Sequence, residues 1–260
     1  MNGIKELFSR MHGRIREYAA DHGFTCDGCG AELFDYPQTR LCSVCEQALE
    51  RNDGKVCPKC GRKTISDGVC LNCKQELPKF TRAITPFVYR GETAGFINRI
   101  KTGTPVLAYY FAEKVADEFL AKYPQAEDFL LEKEETLLIV PVPLTKARKR
   151  VRGYNQAELL AEALCRRLRA RDYAAEADTG ILIKRRETSQ QKHMGRNERV
   201  ENVAGAYHVA KRKECRGRTI LLIDDILTTG ATGSECAARL LAAGAKEVIF
   251  LVCAAVPERK

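Results

Sequence analysis

Ile220-Leu221-Leu222-Ile223-Asp224-Asp225-Ile226-Leu227-Thr228-Thr229-Gly230-Ala231-Thr232 is the stretch that decides the fold. Four apolar residues make a buried strand that delivers two adjacent carboxylates to its C-terminal end. A small, hydroxyl-rich turn follows, and then a helix begins. Free backbone N–H groups, threonine hydroxyls and the positive end of the helix macrodipole together form a phosphate cradle. Gly230 allows a close backbone approach that a bulkier residue would block. The two carboxylates beside the turn can accept hydrogen bonds from sugar hydroxyls or help hold Mg²⁺. The competing reading is a plain strand–turn–helix in which Asp and Thr serve only as helix caps.

Outward from this stretch, strands and helices alternate. Residues 136–140 read as a short buried strand ending in Pro141-Val142-Pro143, and 154–169 as a helix with Ala157, Leu160, Ala161, Leu164 and Leu168 at three- and four-residue steps. Weak strands are expected at 181–183 and 206–209, and a strong one at 219–223. A helix follows at 230–243, stopped by Gly244, with a last buried strand at 247–254. The pattern predicts an α/β fold with a parallel sheet covered by helices on both faces. Ligands of such sheets sit beyond the carboxyl ends of the strands, where the 228–232 turn falls. A polar loop spans 184–205, a length typical of a functional lid or of a disordered segment.

The cysteines divide the chain. Eight of the twelve form four C-x-x-C pairs: Cys26/Cys29, Cys42/Cys45, Cys57/Cys60 and Cys70/Cys73. A two-residue gap lets both sulfurs of a tight turn face one tetrahedral ion, so eight thiolates predict two structural four-cysteine Zn²⁺ sites. A disulfide framework would need an oxidising compartment. Consecutive pairing is expected because its loops are shorter and close at less entropic cost, while a cross-braced pairing fits the same spacing. Cys165, Cys215, Cys236 and Cys253 stand singly, as small packing residues do.

Composition narrows the class. The chain has 260 residues, 45% hydrophobic and 30% charged, which excludes a wholly disordered or fibrous protein. Its longest apolar run, 248–256, is too short to span a bilayer, and no signal-peptide h-region opens the chain, so a cytoplasmic protein is expected. Ile4, Leu7, Phe8, Met11, Ile15, Tyr18 and Ala19 predict an amphipathic helix within 1–24, packed against the rest of the chain. The net charge is +9, yet residues 141–218 alone carry +11. That concentration points to an anionic partner, phosphate or nucleic acid, against the plainer reading of a solvated Arg-rich surface. Only Tyr154, Tyr173 and Tyr207 are aromatic there, sparse for base stacking, so sequence-independent electrostatic contact suits single-stranded DNA better. Two four-cysteine zinc sites would lower the formal charge to about +5 and leave residues 1–80 mildly acidic.

The opening stretch resembles the 5-phosphoribosyl-1-pyrophosphate (PRPP) signature of type I phosphoribosyltransferases at all thirteen positions. Val140-Pro141-Val142-Pro143-Leu144, then Arg148 and Arg152-Gly153-Tyr154-Asn155-Gln156-Ala157-Glu158, resemble a block of the ComF (ComFC) competence family. Thr188, Gln191, Arg196, Arg199 and Asn202 match that family's loop, and Pro86-Phe87, Tyr89, Gly91 and Ile100-Lys101 complete the likeness over residues 26 to 257. The resemblance implies a phosphoribosyltransferase-like domain at 80–260 behind a zinc module at 25–79, and a role in DNA uptake during natural transformation. By the same resemblance, Asp224 and Asp225 would bind the ribose hydroxyls and Thr228, Thr229, Gly230, Ala231 and Thr232 the 5′-phosphate. Residues 142–153 would be the pyrophosphate loop, with Arg148, Lys149 and Arg152 neutralising the pyrophosphate beside Mg²⁺, and 185–202 a mobile hood.

The nucleophile is not legible. No base-reading aromatic follows the last strand, and His193 in the hood reads as a solvent-exposed histidine before it reads as an acid or base. An Mg²⁺-dependent phosphoribosyl transferase and a non-catalytic PRPP-sensing or DNA-binding module therefore both stand.

Overall fold

The computed structural model describes residues 25–35, 39–123, 136–187 and 203–258. The expected helix within 1–24 and the family loop residues Thr188, Gln191, His193, Arg196, Arg199 and Asn202 lie outside the described residues.

Runs of Val, Ile and Leu without polar alternation suit strands buried on both faces, and here they build a parallel sheet. In chain order the strands are β1 (Arg82–Ile84), β2 (Phe87–Val88), β3 (Leu137–Pro141), β4 (Ala175–Ala177), β5 (Leu182–Lys184), β6 (Tyr207–Val209), β7 (Thr219–Leu227) and β8 (Glu247–Ala255). The helices are α1 (Ser43–Gln47), α2 (Leu71–Gln75), α3 (Gly91–Thr102), α4 (Leu107–Lys122), α5 (Lys146–Arg152), α6 (Gln156–Arg169) and α7 (Ala231–Ala242). The main sheet runs β1-β8-β7-β3-β4, with β2 pairing β8 further along, and every pairing is parallel.

The connections place a crevice. From β3 the chain crosses through α6 to β4 on one side, and from β7 through α7 to β8 on the other. The boundary between β3 and β7 is thus a switch point, where open α/β sheets leave room for a ligand. Pairing of β3 with β7 stops at Pro141 and Ile223. Strand β7 continues to Leu227 along β8. It is therefore longer than the 219–223 strand expected from the apolar run, because β8 supplies hydrogen bonds past the carboxylates. The weak strands also differ from expectation in where they go. β5 and β6 leave the sheet and pair antiparallel with each other, Leu182 opposite Val209.

Alternate residues of the strands build two cores. Ile139, Leu221, Ile223, Ile249 and Leu251 pack with α3, α4 and α6. Leu138, Val140, Ile220, Leu222, Val248 and Phe250 pack with α7 and the β5–β6 hairpin. The cysteine segment divides between the two, Cys26 and Cys45 joining the first core and Cys57, Cys60, Cys70 and Cys73 the second. The single cysteines Cys165, Cys215, Cys236 and Cys253 are buried packing residues. Among the described residues no helix is long and apolar enough to cross a membrane.

Candidate functional site

Asp224 and Asp225 follow one another in β7, so their side chains leave opposite faces of the sheet. Asp225 shares the face of Leu221 and Ile223 and is buried. Lys101, in the last turn of α3, reaches it with Nζ 2.6 Å from Oδ2. Burial pushes the Lys101 ammonium down, but the charge of Asp225 outweighs it and holds the lysine above its ordinary value. Asp224 lies on the other face, within the electrostatic reach of Tyr207, Cys236 and Lys184. Burial, reinforced by the neighbouring Asp225 charge, holds the Asp224 carboxyl well above the usual carboxylate range. The Asp225 N–H donates to Asp224 Oδ1 at 2.9 Å, which fixes that carboxyl group. A pair so crowded, with one lysine as counter-ion, fits a donor set for a hard cation or for sugar hydroxyls.

Beyond Leu227 the chain turns into α7. Gly230 caps the helix with φ of +88°, a conformation that costs other residues energy. Thr229 Oγ1 accepts from the Ala231 N–H at 3.3 Å. The main-chain amides of Thr229 and Gly230 find no acceptor among the described residues. Thr232 is within hydrogen-bonding reach of the Tyr207 hydroxyl, whose acidity burial suppresses. Two amides without an acceptor at the start of a 12-residue helix are the kind of donors an anion cradle needs. A cavity of about 160 Å³ lies behind the turn, between it and the second cysteine cluster. It reaches Thr229, Gly230 and Ser234 but neither carboxylate.

The basic segment sits at the end of β3. Asn155 Nδ2 donates to the Val142 carbonyl at 3.0 Å, and its Oδ1 accepts from Ala157 N at 3.1 Å, so one residue caps α6 and anchors the loop. Between them, Thr145 caps α5, a short helix with no buried residue. Arg148 pairs with Glu187 at 3.2 Å, Lys149 with Glu158 at 2.6 Å, and Arg152 with the Gln156 side chain. Burial, aided by the Arg148 charge, pushes the Lys184 ammonium below its ordinary pKa.

The cysteines gather in the consecutive pairing. Cys26, Cys29, Cys42 and Cys45 form one group and Cys57, Cys60, Cys70 and Cys73 the other, with all sulfurs of a group within 4.8 Å of one another. A tetrahedron with Zn–S near 2.3 Å has S···S edges of about 3.8 Å. The Cys29–Cys42 and Cys60–Cys70 separations are both 3.6 Å. The crowded sulfurs also split one another's ionisation. The Cys45 N–H holds the Cys42 thiol down at about 7, burial drives the Cys45 thiol up, and a hydrogen bond with Cys70 raises Cys60 to about 11. Four thiolates cannot coexist there without a cation, and the donor set fits a zinc-ribbon-like site that could hold Zn²⁺.

The phosphoribosyl transferase domain family matches residues 154–260. The DNA utilization protein YhgH of Escherichia coli O6:H1 is 31% identical over 82% of this chain and 89% of its own length. The competence protein ComFC of Streptococcus pneumoniae is 32% identical over 80% of this chain and 84% of its own, and that of Bacillus subtilis 28% over 80% of each. The chain belongs to the ComF family. Among solved structures, the hypoxanthine phosphoribosyltransferase of Trypanosoma cruzi superposes on 56% of this chain and 65% of its own, with TM-score 0.37 and 14% identity.

Two ComF side chains at the site escape a reading of local pattern. Lys101 belongs to the family likeness, yet nothing in the sequence around it announces a carboxylate partner. Arg62, directly after the Cys60-Gly61 turn, reaches from the second cluster to the Thr228 carbonyl at 2.7 Å. A positive charge placed beside two metal-ligand pairs was the available signal for it.

Proposed function

We propose that this ComF-family chain binds PRPP with Mg²⁺ at the C-terminal end of β7, as a cytoplasmic phosphoribosyltransferase-like protein serving DNA uptake. The observation that carries this reading is the β7–α7 turn: unsatisfied amides at Thr229 and Gly230, a helix start, and a carboxylate pair beside them at the switch point. In it, residues 228–232 hold the 5′-phosphate, and Asp224 and Asp225 receive the ribose hydroxyls. Arg148, Lys149 and Arg152 lie on the β3 side to face the pyrophosphate. The two cysteine groups serve as structural Zn²⁺ sites. Mg²⁺ would supply charge neutralisation for a departing pyrophosphate. The chain's own contribution is positioning and electrostatic stabilisation. The names of the relatives, competence protein and DNA utilization protein, support the cellular role.

The test is calorimetric. PRPP with Mg²⁺ should bind and raise the melting temperature, and Asp224→Ala with Asp225→Ala should abolish both. An unshifted wild type would end the reading. Pyrophosphate release with and without candidate acceptors then separates an enzyme from a sensor.

One observation favours a second reading, a module that binds single-stranded DNA without turnover. α5 carries Lys146, Arg148, Lys149, Arg150 and Arg152 on a helix with nothing buried; Lys146 and Arg150 are exposed, the other three are half-buried, and Val151 between them is 91% exposed. Affinity for single strands should then fall steeply with salt. A salt-independent signal excludes it.

A further inference from the structure

Arg62 is buried to 3% exposure, and no carboxylate lies within ion-pair distance of it among the described residues. Its guanidinium has two tasks instead. Nε donates to Cys60 Sγ at 3.2 Å, and a terminal nitrogen donates to the Thr228 carbonyl at 2.7 Å. A buried guanidinium without a counter-charge is costly. A metal-loaded four-cysteine group, with net charge near −2, is the counter-charge at hand.

The second contact sets the phosphate turn. In a trans peptide the C=O and the following N–H point in opposite directions. Turning the Thr228 carbonyl towards Arg62 therefore turns the Thr229 N–H away from it, and that amide is one of the two left without an acceptor. Other ties press the same knuckle against the same end of the sheet. Lys79 N donates to Ser234 Oγ at 3.0 Å, and Glu258 accepts from Leu71 N at 2.7 Å and Ile65 N at 3.2 Å. The first cluster docks elsewhere, on α3, where Arg99 donates to the Gly28 and Asp27 carbonyls at 2.6 and 3.0 Å.

We infer that Arg62 is a positioning residue that links the second cysteine cluster to the phosphate turn, so that metal in that cluster sets the turn's affinity for phosphate. The inference deepens the PRPP reading and rests on it for the identity of the ligand. By linkage the coupling runs both ways: an anion seated at the turn must be felt at the cluster.

The test uses the full chain with Arg62→Met, which keeps bulk and loses both hydrogen bonds, and Arg62→Lys, which keeps the charge. Arg62→Met should retain its metal content while binding PRPP·Mg²⁺ about tenfold more weakly or worse, with faster hydrogen–deuterium exchange at residues 228–232. Arg62→Lys should recover part of the affinity. Equal affinity and equal exchange in wild type and Arg62→Met would overturn the inference. Should the wild type bind no PRPP, the ligand reading fails on its own. Exchange then decides: protection of 228–232 that depends on metal in the wild type, and not in Arg62→Met, supports the link, and its absence overturns it. Should Arg62→Met fail to fold, Co²⁺-substituted wild type provides the readout. PRPP must shift its thiolate-to-cobalt charge-transfer band, and an unmoved band refutes the coupling.

Discussion

Lys101 Nζ and Asp225 Oδ2 stand 2.6 Å apart, and the lysine is the ion-pair partner that the described residues offer this buried carboxylate. Removing one member of such a pair strands the other. Lys101→Met should cost about 2–4 kcal/mol of stability, with the lysine's partial exposure placing it below a fully buried case. The same change frees a site for a divalent cation. Mg²⁺ alone should then raise the melting temperature of Lys101→Met more than that of the wild type. An equal response in thermal denaturation would mean that Asp225 does not face the cation.

Asp224 yields a pH dependence with a definite sign. Its folded-state pKa is raised above the ordinary aspartate value of about 3.9 by burial and by the Asp225 charge. The native state therefore holds its proton more tightly than the unfolded state between the two values. Stability contributed by this group is present at acid pH and lost as pH rises through the raised value. Asp224→Asn should accordingly be more stable than the wild type at pH 7, with the gap closing towards pH 4. PRPP binding should be lost in the same variant. Denaturant unfolding across this range checks the sign, and a variant less stable than wild type at pH 7 would contradict it.

The two cysteine groups differ in shielding. All four sulfur residues of the second are buried, whereas Cys29 of the first is exposed and Cys42 half-buried. Metal analysis should find about two zinc ions per chain. A competing chelator should remove them in two phases, the first group fast and the second slow. Cys29→Ser should eliminate the fast phase and Cys60→Ser the slow one. A single phase, or none, would mean that the groups are not independent metal sites.

What the sequence made legible was local. The β7–α7 turn is thirteen consecutive residues, and each C-x-x-C pair is a single knuckle, so spacing alone identifies them. The choice between consecutive and cross-braced cysteines needed the spatial positions, although loop entropy had pointed the right way. Contacts across long separations were invisible. Arg62 meets the Thr228 carbonyl 166 residues away, and no periodicity records such a meeting. The β5–β6 hairpin was missed for the same reason: two weak strands announce themselves in sequence, but not which edge they will pair with. Strand β7 outran its apolar run because β8 lay beside it, again a non-local cause.

Gly233 tests whether α7 is held where the site needs it. A methyl group added there would come within 2.3 Å of Cε1 of the Phe250 ring on β8 and 2.8 Å of its Cζ. Phe250 is itself buried against Phe80, with ring centroids 5.3 Å apart, so it has little room to yield. The helix must move instead, and Gly230 with its turn moves with it. Gly233→Ala should destabilise the protein by about 1–3 kcal/mol in denaturant unfolding, although alanine favours helix over glycine. It should also weaken PRPP binding beyond what the lost stability explains, at temperatures where both proteins are folded. A Gly233→Ala protein with unchanged stability would show that α7 does not seat on β8 as closely as this. Restoring space with Phe250→Leu in the same chain should recover part of both losses, since the clash and not the lost glycine is their cause.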